Sequence, residues 1–125
     1  MTKPTLLPAG LVFILAALPG CKNTLPPAAN ADEARAALKI ALDTWKSGGT
    51  SEALTQRTPP IYFNESKWQP DVRLISYAIR HGHEMYGQSV RLTVSLAFKR
   101  PDGTTKEREA TYLVDTSPAI VIVPG

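Results

Sequence analysis

Residues 90–99 alternate apolar and polar side chains without a break, and this pattern constrains the fold more than any other. The apolar members are Val90, Leu92, Val94, Leu96 and Phe98. Successive side chains of a β-strand point to opposite faces, so a period of two predicts a long strand with one buried and one solvated face. A strand of this kind needs neighbours that continue its buried face. We therefore expect the second half of the chain to form a sheet.

Three further segments supply the neighbouring strands. Residues 72–80, 105–114 and 119–123 are rich in the residue types typical of strands. The tripeptide Pro101-Asp102-Gly103 is a tight-turn signal before one of them, and Thr116-Ser117-Pro118 turns the chain before the last. Short turns join strands that lie side by side, so the pattern predicts a four-stranded antiparallel meander.

One amphipathic helix precedes the predicted sheet. Asn30 is a suitable N-cap, Glu33 follows three residues later, and Gly48-Gly49 ends the helical pattern. An apolar stripe recurs at the spacing of a 3.6-residue period and consists of Ala34, Ala37, Leu38, Ala41, Leu42 and Trp45. We expect this stripe to cover the apolar face of the sheet.

Residues 31–125 are predicted to form a single small domain of the α+β class. It has one long N-terminal helix packed on a four-stranded antiparallel meander. A short extra helical turn is expected at residues 50–56 and a short edge strand at residues 61–63, after Pro59-Pro60. Trp68 is expected to lie as a lid on the core. This order of elements resembles the cystatin-like and nuclear transport factor 2-like α+β rolls, whose members include enzymes, binding modules and scaffolds, so it implies no activity.

The N-terminus reads as a secretory signal. Lys3 is its one charged residue, residues 11–18 are uniformly apolar, and small residues follow. The apolar block is much shorter than the roughly 18 residues that cross a bilayer as a helix. A secretory signal without a membrane span predicts an exported protein.

The only cysteine of the chain closes this segment. Leu18, Gly20 and Cys21 resemble the lipobox of bacterial lipoproteins, whereas Pro19 departs from the small residue usual there. The resemblance implies that residues 1–20 are a removed signal peptide and that Cys21 carries a diacylglyceryl thioether and an acylated amine. Residues 21–30 would then be the lipidated cysteine and a tether. The lipid on Cys21 would anchor the protein to a bacterial membrane, on its periplasmic or outer surface.

The charge distribution argues against a nucleic-acid partner. The formal net charge is +3, from 14 lysines and arginines against 11 acidic residues. The basic residues are scattered among acids, whereas a nucleic-acid interface concentrates them on one face. No phosphate-cradling motif occurs, and no cofactor is predicted.

His81 and His83 form the only local group with metal-ligand character. Residues two apart on a strand face the same way, so both imidazoles could reach one ion. A site needs a third ligand, which the sequence does not identify, so the alternative is two exposed histidines at the mouth of a loop over residues 83–89. We therefore predict no metal site.

No catalytic group is predicted. Lipidation would consume the only thiol, and no G-x-S-x-G elbow occurs. Asp43 and His81 are the one acid–histidine pair that a pocket between helix and sheet could bring together, but Asp43 lies on the polar side of the helix.

The prediction for function is a membrane-anchored exported lipoprotein that acts as a non-enzymatic envelope or interaction module, with an unidentified envelope protein as a possible partner. The alternative is a small-ligand-binding protein or an enzyme that uses a cavity between helix and sheet. Candidate pocket or contact residues are Trp68, Tyr77 and Tyr112. A cavity lined by Tyr77, His81 or Tyr112 would favour the alternative, and a filled core would favour the interaction module.

Overall fold

The computed structural model describes residues 27–125. Two helices and six strands follow in chain order: α1 (Ala31–Lys46), α2 (Ser51–Thr55), β1 (Ile61–Phe63), β2 (Arg73–Ile79), β3 (Glu84–Tyr86), β4 (Ser89–Lys99), β5 (Thr105–Asp115) and β6 (Ile120–Pro124). Cys21, the predicted signal segment and most of the tether lie outside the described residues.

The first helix follows its sequence signals closely. The side-chain carbonyl of Asn30 accepts a hydrogen bond from the backbone N–H of Glu33, which satisfies one of the free donors at the helix start. All six residues of the predicted stripe are buried. Gly48 adopts a φ of 91° just beyond the helix, a conformation that only glycine enters without strain. The predicted helix is confirmed.

All six strands belong to one sheet. Its order is β1-β6-β5-β4-β2, and β3 pairs with β4 beside β2. The alternation in β4 places its apolar side chains on the buried face, opposite those of β5, as in the pairs Val90–Val114 and Leu92–Tyr112. The pairs between β2, β4, β5 and β6 are antiparallel, whereas β1 runs parallel to β6, with Ile61 opposite Ile120.

The predicted architecture of a long helix on a four-stranded antiparallel meander is wrong. The domain is mostly β, with a curled, mixed, six-stranded sheet in the form of a half-barrel and one substantial helix of 16 residues. Parallel pairing joins segments about half the chain apart, which no local pattern encodes. The loop expected at residues 83–89 also contains β3, which completes a hairpin with β4. An irregularity in β2 beside Ile75 adds local twist to the sheet.

The core fills the space between α1 and the inner face of the sheet. Beside the helix stripe it contains large side chains from nearly every strand: Ile61, Phe63, Leu74, Leu92, Leu96, Phe98, Tyr112 and Ile122. Among residues 27–125, no charged side chain is buried. None of the helices in this part of the chain is long and apolar enough to cross a membrane.

Candidate functional site

An apolar cleft of about 380 Å³ opens between α1, the segment before β1 and the turn before β6. Its floor and walls are formed mainly by Ala36, Ala37, Ile40, Pro60, Ile61 and Ile120. Ligand sites in proteins are typically clefts of about 300–1,000 Å³ with a predominantly apolar lining. The volume lies within this range and the lining is mostly apolar, so we take this cleft as the candidate binding site.

The cleft exists because the flank of α1 carries small side chains beside a short strand. Ala36 and Ile40 are one helical turn apart and so share one side of α1, next to the buried stripe. Ala36 is exposed, and Ile40 is half-buried and packs against the edge of the core, so both leave apolar surface on the cleft lining. The opposite wall is the start of β1, which is only three residues long and follows two prolines. Neither wall extends far enough to close the gap.

Two opposite charges, Glu33 and Arg57, lie on the lining of this cleft. Both side chains are exposed. Three other acid–base pairs in the described part of the chain form ion pairs, but neither Glu33 nor Arg57 belongs to one. The cleft thus combines an apolar floor with an acidic and a basic group that are both open to a ligand.

The chain joins the domain beside the cleft. The backbone N–H of Ala29 donates to the carbonyl oxygen of Gln88 at 2.8 Å. The backbone N–H of Asn30 donates to Oγ1 of Thr116 at 3.1 Å, and Thr116 is itself part of the cleft lining. Asn30, the residue before α1, is therefore held against the lining of the cleft.

The two histidines do not form a metal site with a third residue. Both are exposed, and the concavity that they line also contains the cations Arg80 and Arg91. The carboxylate of Glu84, which lines the same concavity, is 3.3 Å from a guanidinium nitrogen of Arg91. Among residues 27–125, no group of three or more potential ligands could hold an ion. The arginines would repel a cation placed here.

Tyr77 connects the sheet to α1. Its hydroxyl donates to Oδ1 of Asp43 at 2.6 Å, and Oδ2 of the same carboxylate accepts from Nζ of Lys39 at 2.9 Å. Burial, followed by the bond to Asp43, raises the pKa of Tyr77, whereas the bond from Tyr77 lowers the pKa of Asp43. A raised pKa makes the Tyr77 hydroxyl a weaker acid. The hydrogen bonds of this cluster link β2 to α1. Asp43 does not line the concavity that contains His81, so the acid–histidine pair considered from the sequence is not assembled there.

Trp68 covers one end of the core, as expected. Its ring stacks on Trp45 with centroids 5.7 Å apart, and its edge meets Phe63 at the same distance. The indole N–H of Trp68 donates to the carbonyl of Gly49 at 3.2 Å, and that of Trp45 to Val72 at 3.0 Å. Since both donors are used within the protein, neither is offered to a ligand.

Tyr112 lies inside the core. Its side chain is 1 % exposed, and its hydroxyl donates to the carboxylate of Glu65. Burial and the nearby negative charge of Glu65 raise the pKa of Tyr112 above the ordinary tyrosine value. Neither Tyr112 nor Tyr77 lines the cleft. Tyr77 and Trp68 line two other concavities, of about 450 and 370 Å³, and their polar groups are hydrogen-bonded within the domain.

No family model matches this chain, and no similar curated protein or solved structure was found. The case for a site rests on geometry alone. Sequence reasoning missed the cleft residues, of which Ala36, Ile40 and Arg57 are examples. The available signal was weak: an apolar pair four residues apart at the flank of the helix stripe, and prolines before two short strands.

Proposed function

We propose that this protein is an exported lipoprotein, held at a bacterial membrane by lipid on Cys21, whose domain is a non-enzymatic binding module. The cleft between α1 and the β1–β6 edge is its contact site. The cleft itself carries this proposal, because it is apolar, open and of ligand size.

A non-enzymatic role has more support than an enzymatic one, and a cleft beside α1 is also what the small-ligand-binding alternative expects. The cleft contains none of Tyr77, His81 and Tyr112. Tyr77 and His81 line two other concavities, of about 450 and 350 Å³, and Tyr112 is buried in the core. The hydroxyl of each tyrosine is committed to a carboxylate within the domain. A general acid or base must face its substrate with a pKa near the working pH, and burial moves the pKa of both tyrosines away from that range.

Support for the anchor comes from the sequence. Cys21 follows the apolar block at lipobox spacing, and two or more acyl chains give stable membrane attachment. The described chain starts beside the cleft, so a short tether would hold the contact site towards the membrane side of the domain. A binding module in this position would meet ligands that reside in the envelope.

Metabolic labelling of cells with a fatty-acid analogue tests the anchor. The unaltered chain is expected to be labelled and to sediment with membranes, and Cys21→Ser is expected to lose the label. Lys22→Ala, next to the cysteine, is the matched control and should keep it. Label that persists on Cys21→Ser, or an unlabelled parent chain, would contradict the proposal.

A further inference from the structure

The cleft presents an apolar surface and two unpaired charges to the same ligand. Moving hydrocarbon from water onto such a floor is favourable in proportion to the area covered. A purely apolar ligand would leave Glu33 and Arg57 unused, although both lie on the lining. The complementary ligand is an amphiphile that carries a hydrocarbon chain, one negative group and one positive group.

The signs of the two charges select the head group. An anionic head would be attracted by Arg57 but repelled by Glu33, and a cationic head would meet the reverse. A head that contains both a phosphate and an ammonium satisfies Arg57 and Glu33 at once. Zwitterionic phospholipids have this composition.

Three prolines on the lining reduce the number of backbone donors that the cleft offers to a bound peptide. An extended peptide brings polar N–H and C=O groups that require partners when they are buried. Pro59, Pro60 and Pro118 lie on the lining, and none of them has an N–H to donate. An acyl chain makes no such demand.

The tether sets how far the cleft lies from the membrane. Residues 22–30 number nine, which span at most about 30 Å when fully extended. The contact between Asn30 and Thr116 places the end of this tether at the cleft. Attachment at such short range raises the effective concentration of membrane lipid at the site.

We infer that the cleft binds one acyl chain of a zwitterionic membrane phospholipid, with the phosphate at Arg57 and the ammonium at Glu33. This inference rests on the proposed function, because it takes the lipid anchor as given.

Photocrosslinking in the full-length lipidated protein tests the occupant. A diazirine amino acid replaces Ala36 in the cleft, or Lys39 as the control, which is exposed on α1 and outside the cleft. The protein is reconstituted in vesicles of phosphatidylethanolamine and phosphatidylglycerol, and adducts are identified by mass. A phosphatidylethanolamine adduct at position 36, at least about fivefold above position 39, is expected. Four results would overturn the inference: equal yields at the two positions, an excess of the phosphatidylglycerol adduct, an adduct with a peptide, or an adduct with the protein's own lipid.

Charge reversal tests the head group. Glu33→Arg and Arg57→Glu are each expected to lower the yield of the adduct about two- to fivefold, the range for exposed ion pairs. The double reversal should restore the yield, because the phosphate and the ammonium of the head group can exchange positions. Asp32→Arg and Lys46→Glu are matched reversals outside the cleft and should leave the yield unchanged. A rise in yield with Glu33→Arg would show recognition of an anionic head and would overturn the inference.

Fatty-acid labelling and photocrosslinking together distinguish a failure of this inference from a failure of the proposed function. A chain without fatty-acid label on Cys21 contradicts the proposed function and the inference together. A labelled, membrane-bound chain without the lipid adduct contradicts the inference alone.

Discussion

Replacement of Tyr112 by phenylalanine is expected to lower stability at neutral pH and to remove part of the sensitivity of the fold to alkali. The hydroxyl lies in the core and donates to the carboxylate of Glu65. Burial, with a smaller effect of that carboxylate, raises the pKa of Tyr112. The folded protein therefore keeps a proton that the unfolded chain releases near the ordinary tyrosine pKa of about 10.

The size of the effect follows from proton linkage. Above the unfolded-state pKa, the folded state binds one more proton than the unfolded state, so the free energy of unfolding falls as pH rises. The slope for one group is about 1.4 kcal/mol per pH unit, or about 2–3 kcal/mol between pH 10 and pH 12. At pH 7 the variant loses a hydrogen bond to a charged acceptor. Since the half-buried Glu65 regains water once it is released, we expect a loss of about 1–2 kcal/mol.

Urea unfolding of residues 27–125 at pH 7, 10 and 12 measures both quantities. The parent should be more stable than Tyr112→Phe at pH 7 and should lose this advantage by pH 12. Tyr77→Phe is the matched control, because burial and Asp43 also raise the pKa of Tyr77 but its side chain is only half-buried. For Tyr77→Phe, we expect the difference in free energy of unfolding from the parent to change less between pH 10 and pH 12 than it does for Tyr112→Phe. Parallel stability curves for the parent and Tyr112→Phe between pH 10 and pH 12 would refute the reasoning.

Three further variants test the helix and its contacts. Leu42→Ala removes a fully buried side chain and should lower the free energy of unfolding by about 2–5 kcal/mol, whereas Lys46→Ala, exposed on the same helix, should change it by less than about 0.5 kcal/mol in urea titrations. Asn30→Ala removes the N-cap and should cost about 1 kcal/mol, visible as a melting temperature lower by several degrees; an unchanged melting temperature would contradict the cap. Asp43→Asn should cost less than about 1 kcal/mol at pH 7, because its bonds to Tyr77 and Lys39 are exposed. The bond from Tyr77 lowers the pKa of Asp43, so the stability difference between the parent and Asp43→Asn should shrink as pH falls below about 4. Thermal melts that show the same difference at pH 7 and at pH 3 would contradict this expectation.

Helices and strands were predictable where their signals lie within a few neighbouring residues. The cap at Asn30 and the six-residue stripe determine α1, because both depend on neighbours within three or four residues. The alternation over residues 90–99 identifies the buried face of β4. The strand β3 was missed because it contains only three residues, all of them exposed, and so it has no burial pattern to read.

The candidate site was much less predictable than the elements around it. His81, Tyr77 and Tyr112 attract attention because their side chains have chemistry, but the fold uses both tyrosines as internal hydrogen-bond donors. The cleft is built largely from alanine, isoleucine and proline, which carry no distinctive signal in a sequence. Its charged pair, Glu33 and Arg57, becomes recognisable only when the fold brings both onto one lining.

The sequence by itself determined the helix, the faces of the long strands and the expectation of an anchor at Cys21, because each depends on periodicity or on adjacent residues. Tertiary structure decided that β1 pairs in parallel with β6, at Ile61 and Ile120, and that the sheet is mixed and curled. It also decided where a cleft remains open beside α1. Pairing between distant segments follows from the free energy of packing the whole core, and a period of two or 3.6 residues carries no information about the partner.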